Sequence, residues 1–448
     1  MKGNVLFIFP PPDTPRETRF GIPLGLLYLS SELINAGFNV ELADFSVENY
    51  SLDRLSQLLS DKDLVGISIP SYSLNNAMKV IAEIRRIKPE IPIAAGGPDC
   101  ILFPRLVEGT DATSIGEAEG AVVRIFDSLL GRGDLSHCEG VIFRDASSDS
   151  TKKGMAYHLQ DSLDGIRFPA RHLVSQNGSF GEHPLRKARL PKSTLLLTSR
   201  GCPLHCKFCA RHTLSYTKYR ERSVDNVLEE IEEVYRAGYQ MVWISDDNFG
   251  ANLQRVHQIM EGIIKLGIDM SFAFSEWVRS ADEDVYKLCK EAGVRIISFG
   301  LESGNQDVLD FYGKPITLEA SRRAVELANK YDLFTAGNFI FGAPIETREH
   351  LEKTLEFAKS LPLDTVNFKI LGYMAGSELW FEAVKRGLIR EDERNVFADS
   401  NRGLGSITLT ELKEFTHKAY TEYTHNKSRQ IRLRNKMKRV GLPYPISW

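Results

Sequence analysis

Short apolar runs alternate with helical patterns twice over in this chain of 448 residues, and this alternation restricts the fold more than any other feature. In the first series NVLFIF (4–9) is stopped by three prolines. LGLLYLSSELINAG then spaces its apolar residues as a helix does and ends on glycine, and NVELAD, LVGISI and IPIAAGG follow as further short runs. Strands alternating with helices predict a parallel, doubly wound, Rossmann-like sheet over residues 1–130, with its ligand face at the carboxyl ends of the strands. A second series runs through STLLLTS, QMVWISDD, MSFAFSE, VRIISFGLE, FTAGNFIFG and TVNFKILGY, with helical patterns between them. Six strand–helix units predict a partial, TIM-like (β/α)6 barrel over 191–395, its chemistry again at the strands' carboxyl ends. Between the two series, 131–190 begins with a hairpin-like EGVIFRD and turns rich in Ser, Asp, Lys, Pro and Gly, which reads as a linker. Residues 396–448 read as a helical region with a basic tail.

Composition adds exclusions. A 42% hydrophobic and 26% charged content is that of an ordinary globular chain, and a net charge of −3 does not suit a nucleic-acid-binding surface. No run of 18 apolar residues offers a membrane span, and the amino-terminal apolar run is too short for a signal peptide. Six cysteines are too few for a disulfide framework. The expected location is the cytoplasm.

The loops at the strand ends of the first series are PPPD (10–13), DFS (44–46), PSYS (70–73), GGPD (96–99) and IGEAEG (115–120). Pro12, Ser71, Tyr72, Gly96, Gly97, Gly116 and Glu117 are the candidate ligand-facing residues there. The glycines either let a ligand approach the backbone or simply make turns.

Cys202, Cys206 and Cys209 fall within eight residues, just past the first barrel strand, in TSRGCPLHCKFCA. Structural zinc and most ferredoxin clusters take four protein ligands. Three thiolates around a four-iron cluster leave one iron open to an outside ligand. Zinc would need a fourth ligand, with His205 or His212 nearest. Cys100, Cys138 and Cys289 have no metal-like spacing and read as structural.

The CxxxCxxC pattern with Phe208 before its last cysteine resembles the radical S-adenosylmethionine (SAM) enzymes, over residues 193 to about 380. The resemblance implies a 4Fe-4S cluster on Cys202, Cys206 and Cys209. Its open iron chelates the amino and carboxylate groups of SAM, and reductive cleavage then gives a 5′-deoxyadenosyl radical. SDDNF (245–249) stands where the family meets the SAM amino group, which makes Asp246 and Asp247 candidates. FGLESG (299–304) resembles the ribose-contacting strand, with Glu302 and Ser303 as polar contacts. GNFIFGAP (337–344) resembles the strand that holds adenine, with Asn338 and Gly342, and YRERS (219–223) is also typical. Glu276 and Arg279 lie at the third strand end, where Arg279 fits a structural ion pair or a SAM-carboxylate contact equally well.

The first series, through PPPD, VGISIPSYS, AAGGPD and IGEAEG, resembles the cobalamin-binding domain of one large radical SAM class. The Asp-x-His-x-x-Gly motif is missing, and no histidine precedes His137. The resemblance therefore implies cobalamin without a histidine from this domain on cobalt, lying where the two domains' strand ends meet. Tyr72 would sit under or beside the corrin, and the nucleotide tail near Gly96, Gly97 and Gly116. The implied reaction is methylation of an unactivated carbon of a small-molecule or lipid-like substrate. Its rivals are a cobalamin-dependent cyclisation or rearrangement and, in another class, a non-catalytic cobalamin or tetrapyrrole carrier. A reductant such as flavodoxin or ferredoxin is the expected partner, and no nucleic acid. The tail has seven Lys or Arg between 427 and 439. Packing of its apolar residues on the barrel is favoured over contact with anionic lipid.

Overall fold

The computed structural model describes residues 2–13, 22–145, 148, 150–174, 192–276, 278 and 282–440. It divides into two compact units, Met1–Arg186 and Lys187–Trp448.

The first unit is built on a seven-stranded sheet in the order β2-β1-β3-β4-β5-β6-β7. Strands β1 (Asn4–Phe9), β2 (Asn39–Asp44), β3 (Leu64–Ser68), β4 (Ile93–Gly96) and β5 (Ala112–Ser114) are parallel. Helices cover both faces, which is why these strands are nearly all apolar rather than alternating. Leu6, Ile8, Val65 and Ile67 pack against the helices Leu52–Leu59 and Leu74–Ile87 on one side. Val5, Phe7 and Phe9 pack against Leu24–Asn35 and Val122–Leu129 on the other.

The segment expected as a linker is not uniform. β6 (Val141–Asp145) and β7 (Ser150–Lys153) form an antiparallel hairpin that extends the sheet from β5. The hairpin belongs to the sheet because Val141, Ile142 and Phe143 are buried, an apolar contribution that the polar composition after residue 145 obscured. Residues 155–173 then stay on this unit, where the Ser31 hydroxyl donates to the Phe168 carbonyl at 2.5 Å and the Ala170 N–H to that of Leu27. Residues 175–191 lie outside the described set.

The second unit holds six parallel strands in strict sequence order: β8 (Ser193–Leu196), β9 (Met241–Ile244), β10 (Ser271–Glu276), β11 (Val294–Glu302), β12 (Phe334–Phe341) and β13 (Thr365–Ile370). The first and last are not bonded to each other, so the barrel is open, as the six strand–helix units predict. Its outer face is aromatic. Phe341 and Phe368 stack at 5.3 Å, and Phe415 and Tyr420 of the helix Leu409–Thr424 meet them edge-on.

The final helix, Lys427–Arg439, docks on the barrel. Lys436 is 2% exposed and its Nζ reaches Asp364 Oδ2 at 2.7 Å. Arg429 donates to the Lys359 carbonyl, Arg432 to that of Leu363, and Arg439 pairs with Asp332. Cys100, Cys138 and Cys289 are buried.

Candidate functional site

The cysteine loop leaves the barrel after β8 and is closed by a two-residue antiparallel ribbon, Ser199–Arg200 against Arg220–Glu221. YRERS therefore completes the loop's neck. Beneath it, Asp246 is fully buried. It accepts hydrogen bonds from the Thr198 N–H (2.6 Å), the Thr198 hydroxyl (2.5 Å) and the Ser199 hydroxyl (2.6 Å). Burial raises its pKa, and these donors pull it back. Arg255 clamps the same point, donating to the Thr198 carbonyl at 2.7 Å. The Asp246 carboxylate thus anchors the root of the loop.

Asp247, its neighbour, instead meets Arg211 at 3.2 Å and lies close enough to Cys202 and Cys209 to raise both thiol pKa values. Burial is the larger cause at all three cysteines and pushes Cys206 up to about 12. Phe208 is edge-on to the buried Tyr312 at 4.9 Å, and the Lys207 N–H donates to the Tyr312 carbonyl.

Glu302 ends β11 in the left-handed region, at φ 59°, a strained conformation for a residue with a side chain. Its Oε1 accepts from Lys314 Nζ at 2.6 Å, with both side chains about nine-tenths buried. Burial works against the Lys314 charge, but Glu302 and the cysteines beside it outweigh that and raise its pKa. Sequence reading missed Lys314. It stands in no recognisable spacing to the cysteines, and the chain's return after the helix Gln306–Phe311 is what brings it to them.

Ser303 is drawn away from the mouth. It is fully buried, its hydroxyl 3.1 Å from that of Thr354 and accepting from the Asn305 N–H. Asn338 spends both amide protons on Ser298 Oγ and the Phe299 carbonyl and accepts from Asn367 Nδ2 at 3.1 Å. Gly342 has φ 103°, and a Cβ there would lie 2.9 Å from Leu412. Its N–H, and that of Ala343, donate to Glu346 Oε2 at 2.6 and 2.8 Å. Glu346, a second residue the sequence reading missed, thus shapes the turn, and burial raises its pKa to about 7. Arg279 lies outside the described residues.

In the first unit the Pro12 carbonyl accepts from Asn76 Nδ2, and Asp13 caps the helix Leu74–Ile87 through the N–H groups of Asn75 and Asn76. Ser71 and Tyr72 lie in a short 3-10 turn, with Tyr72 half-buried against the core. The three glycines differ. A Cβ on Gly116 would strike the Tyr157 ring at 2.4 Å, and the Glu117 N–H donates to the Tyr157 hydroxyl. Gly97, at φ 103°, is required by its own turn against Ile69 and Ser68. Gly96 alone has room for a Cβ, which would meet Ser114 at an ordinary contact distance of 3.6 Å. The expected room at Gly116 is therefore filled by the chain itself, from a segment whose sequence reads as linker.

The donor sets can be weighed on these residues. Three buried or half-buried thiols with Asp247, Glu302 and Lys314 around them offer soft sulfur ligands of the kind iron–sulfur clusters take. Among the described residues no three His, Cys, Asp or Glu side chains converge on one point as a single zinc ion demands. A four-iron cluster spreads its cysteines around a cube instead. For cobalamin the first unit offers the uncrowded Gly96 and, at the PSYS loop, the buried Ser73 hydroxyl, which has no partner among the described residues.

Residues 196–358 match the radical SAM superfamily model, and residues 19–126 match the B12 binding domain model. The chain belongs to the radical SAM superfamily, with a B12-binding domain ahead of it. Radical SAM proteins of this kind are enzymes, and their cofactors here are a 4Fe-4S cluster, SAM and cobalamin. An uncharacterised methyltransferase of Pyrococcus horikoshii is 28% identical over 432 residues, which is 94% of this chain and 92% of that protein. The hopanoid C-3 methylase of Methylococcus capsulatus is 25% identical over 371 residues, 80% of this chain and 68% of that one. Among solved structures, the cobalamin-dependent SAM radical enzyme OxsB, with aqua-cobalamin and SAM bound, superposes with a TM-score of 0.73 at 18% identity. That match covers 98% of this chain and 71% of OxsB, and it is a likeness of fold. No helix among the described residues is long and apolar enough to cross a membrane.

Proposed function

We propose that this radical SAM chain transfers a methyl group from SAM to an unactivated carbon of a small-molecule or lipid-like substrate. The observation that carries the proposal is one chain holding three clustered thiols, Cys206 buried and Cys202 and Cys209 partly so, beside the Lys314–Glu302 pair together with a B12-binding domain. When bound, the cluster supplies the electron that splits SAM, and cobalamin supplies a transferable methyl group.

The chain's own residues bind and orient. Cys202, Cys206 and Cys209 would hold the cluster by three thiolates, with no fourth cysteine beside them, so that SAM could take the remaining position. A zwitterionic amino acid group needs opposite charges at fixed separation, and Lys314 for its carboxylate with Glu302 and Asp247 for its ammonium meet that need. The Gly342 turn, set by Glu346, offers backbone to the adenine. Asp246 and Ser303 act through others: Asp246 fixes the loop, and Ser303 the end of β11. In the first unit, Gly96 and the PSYS turn with Tyr72 are the cobalamin contacts. The methylase and methyltransferase names of the two relatives support the reaction class. A low-potential reductant such as flavodoxin or ferredoxin supplies electrons.

Anaerobic reconstitution tests the first half of the proposal. It should give about four irons per chain and release 5′-deoxyadenosine from SAM on reduction. Replacing all three cysteines by alanine should abolish both. A triple variant that still releases 5′-deoxyadenosine defeats the reading, and a protein that retains cobalamin but never cleaves SAM is a carrier.

A further inference from the structure

The inner face of the barrel carries a polar row that SAM chemistry does not account for. It begins over Gly300, where a Cβ would lie 2.6 Å from Glu302 Oε1 and 2.7 Å from Lys314 Nζ. Gly300 is in register with Asn338, and Asn338 with Asn367, so the row steps from β11 across β12 to β13. The hydrogen bonds from Asn367 Nδ2 to Asn338 Oδ1 and from Asn338 Nδ2 to Ser298 Oγ confirm that these side chains share one face. The opposite face of β13 is the one covered by helix. Phe368 meets Tyr420 edge-on, and its N–H donates to the Tyr420 hydroxyl at 3.0 Å.

Alternation along a strand then places Lys369, two residues beyond Asn367, on the same inner face. Lys369 is exposed, and among the described residues its ammonium has no ion-pair or hydrogen-bond partner. The Asn367 side-chain oxygen and its second amide proton are likewise unspent. Asn338, by contrast, is fully committed, so it holds Asn367 rather than a ligand. By strand spacing Lys369 lies roughly 10 Å or more from the Lys314 end of the row, too far to share one carboxylate with it. Two cations therefore stand at opposite ends of one polar track, and only one is needed for the amino acid group of SAM.

We infer that Lys369 and Asn367 form a substrate anchor for an anionic oxygen group, a carboxylate or a phosphate. This rests on the methyl-transfer reading for its role and makes the substrate an anionic molecule held by β13. A charge-assisted bond from the ammonium and one amide N–H would fix one end of the substrate, while the carbon to be changed lies toward Glu302 and the cysteine loop.

The test uses the full chain, anaerobically reconstituted with iron, sulfide and cobalamin. Crystals grown with SAM are soaked in selenate and, separately, in 4-bromobenzoate, whose aryl bromide does not alkylate thiols or amines, as probes for phosphate and carboxylate. Anomalous density within hydrogen-bond reach of Lys369 and Asn367, lost in Lys369→Gln, is expected, and the probe that binds names the class. Density at neither residue, or only elsewhere, overturns the anchor. In parallel, methyl-labelled SAM is turned over with a small-molecule cell extract divided by anion exchange into neutral and anionic pools. Label should enter the anionic pool, fall about tenfold or more in Lys369→Gln and recover in Lys369→Arg. Label in the neutral pool that Lys369→Gln leaves unchanged overturns the anchor while methyl transfer stands. If SAM is cleaved but no pool is labelled, methyl transfer falls, and the soaks alone decide the anion site.

Discussion

Lys314 Nζ lies 2.6 Å from Glu302 Oε1, and this pair occupies the space above Gly300 beside the three cysteines. A buried pair is costly to split, because the partner left behind keeps its charge without solvent. Lys314→Met should therefore destabilise the second unit by about 3–5 kcal/mol, and Glu302→Gln with Lys314→Met should recover most of that loss. SAM affinity, measured by calorimetry on cluster-loaded protein, should stay reduced about tenfold or more in both variants. Full affinity in the double variant would remove Lys314 from the SAM site.

Adjacent acids should fail differently. Asp246→Asn swaps an acceptor for a donor against Thr198 and Ser199, so the loop root loosens and iron content should fall. Asp247→Asn leaves the root intact, so iron content should hold while 5′-deoxyadenosine release slows. Iron-to-protein ratios and product release, measured on both variants, check this. Equal iron loss in the two would dissolve the distinction.

Much of this was legible in the chain, because both series of apolar runs have the period and length of strands buried on both faces. The cysteines announced themselves by spacing. The failures share a cause. Ser303 and Gly116 look free in sequence, yet Thr354, 51 residues on, and Tyr157, from a polar-looking segment, fill the places meant for ligands. Lys314 and Glu346 were missed for the converse reason, since only the return of the chain gives them partners. The one local signal left unread was TVNFKI, where Asn367 and Lys369 break an apolar strand at every second position, the mark of a polar inner face.

Glu346 predicts a pH dependence with a definite sign. Its pKa is raised by burial from 4.5 to about 7, so the folded turn holds a proton that the unfolded chain releases. Stability from this group is full below about pH 4.5 and is lost as pH rises to about 7, by ~3 kcal/mol. Protection factors for the peptide containing Gly342 and Ala343, in which the intrinsic rise of exchange with pH is divided out, should fall over that range in the wild type. In Glu346→Gln, which keeps an acceptor and has no charge, the dependence should flatten. An unchanged slope would place the titration elsewhere.

The carboxyl-terminal helix is held by a buried ion pair rather than by its surface charge. Lys436→Met strands Asp364, whose side chain is fully enclosed and, among the described residues, otherwise bonded only to Thr335. The second unit should melt roughly 10 °C lower, with Asp364→Asn plus Lys436→Met recovering most of the loss. High salt should leave the effect in place, because a buried pair is little screened. A melting point that drops only in low salt would return the helix to surface electrostatics.

The most direct measurement follows the methyl group. Reconstituted enzyme with cobalamin, a reductant and SAM deuterated in its methyl group is incubated with small-molecule extract, and products are compared by mass spectrometry with a Cys202, Cys206 and Cys209 triple-alanine control. Methyl transfer predicts a product heavier by one deuterated methyl group, formed together with 5′-deoxyadenosine and absent from the control. A product carrying no deuterium, made while SAM is cleaved, would contradict methyl transfer and identify a rearrangement or cyclisation on the same scaffold.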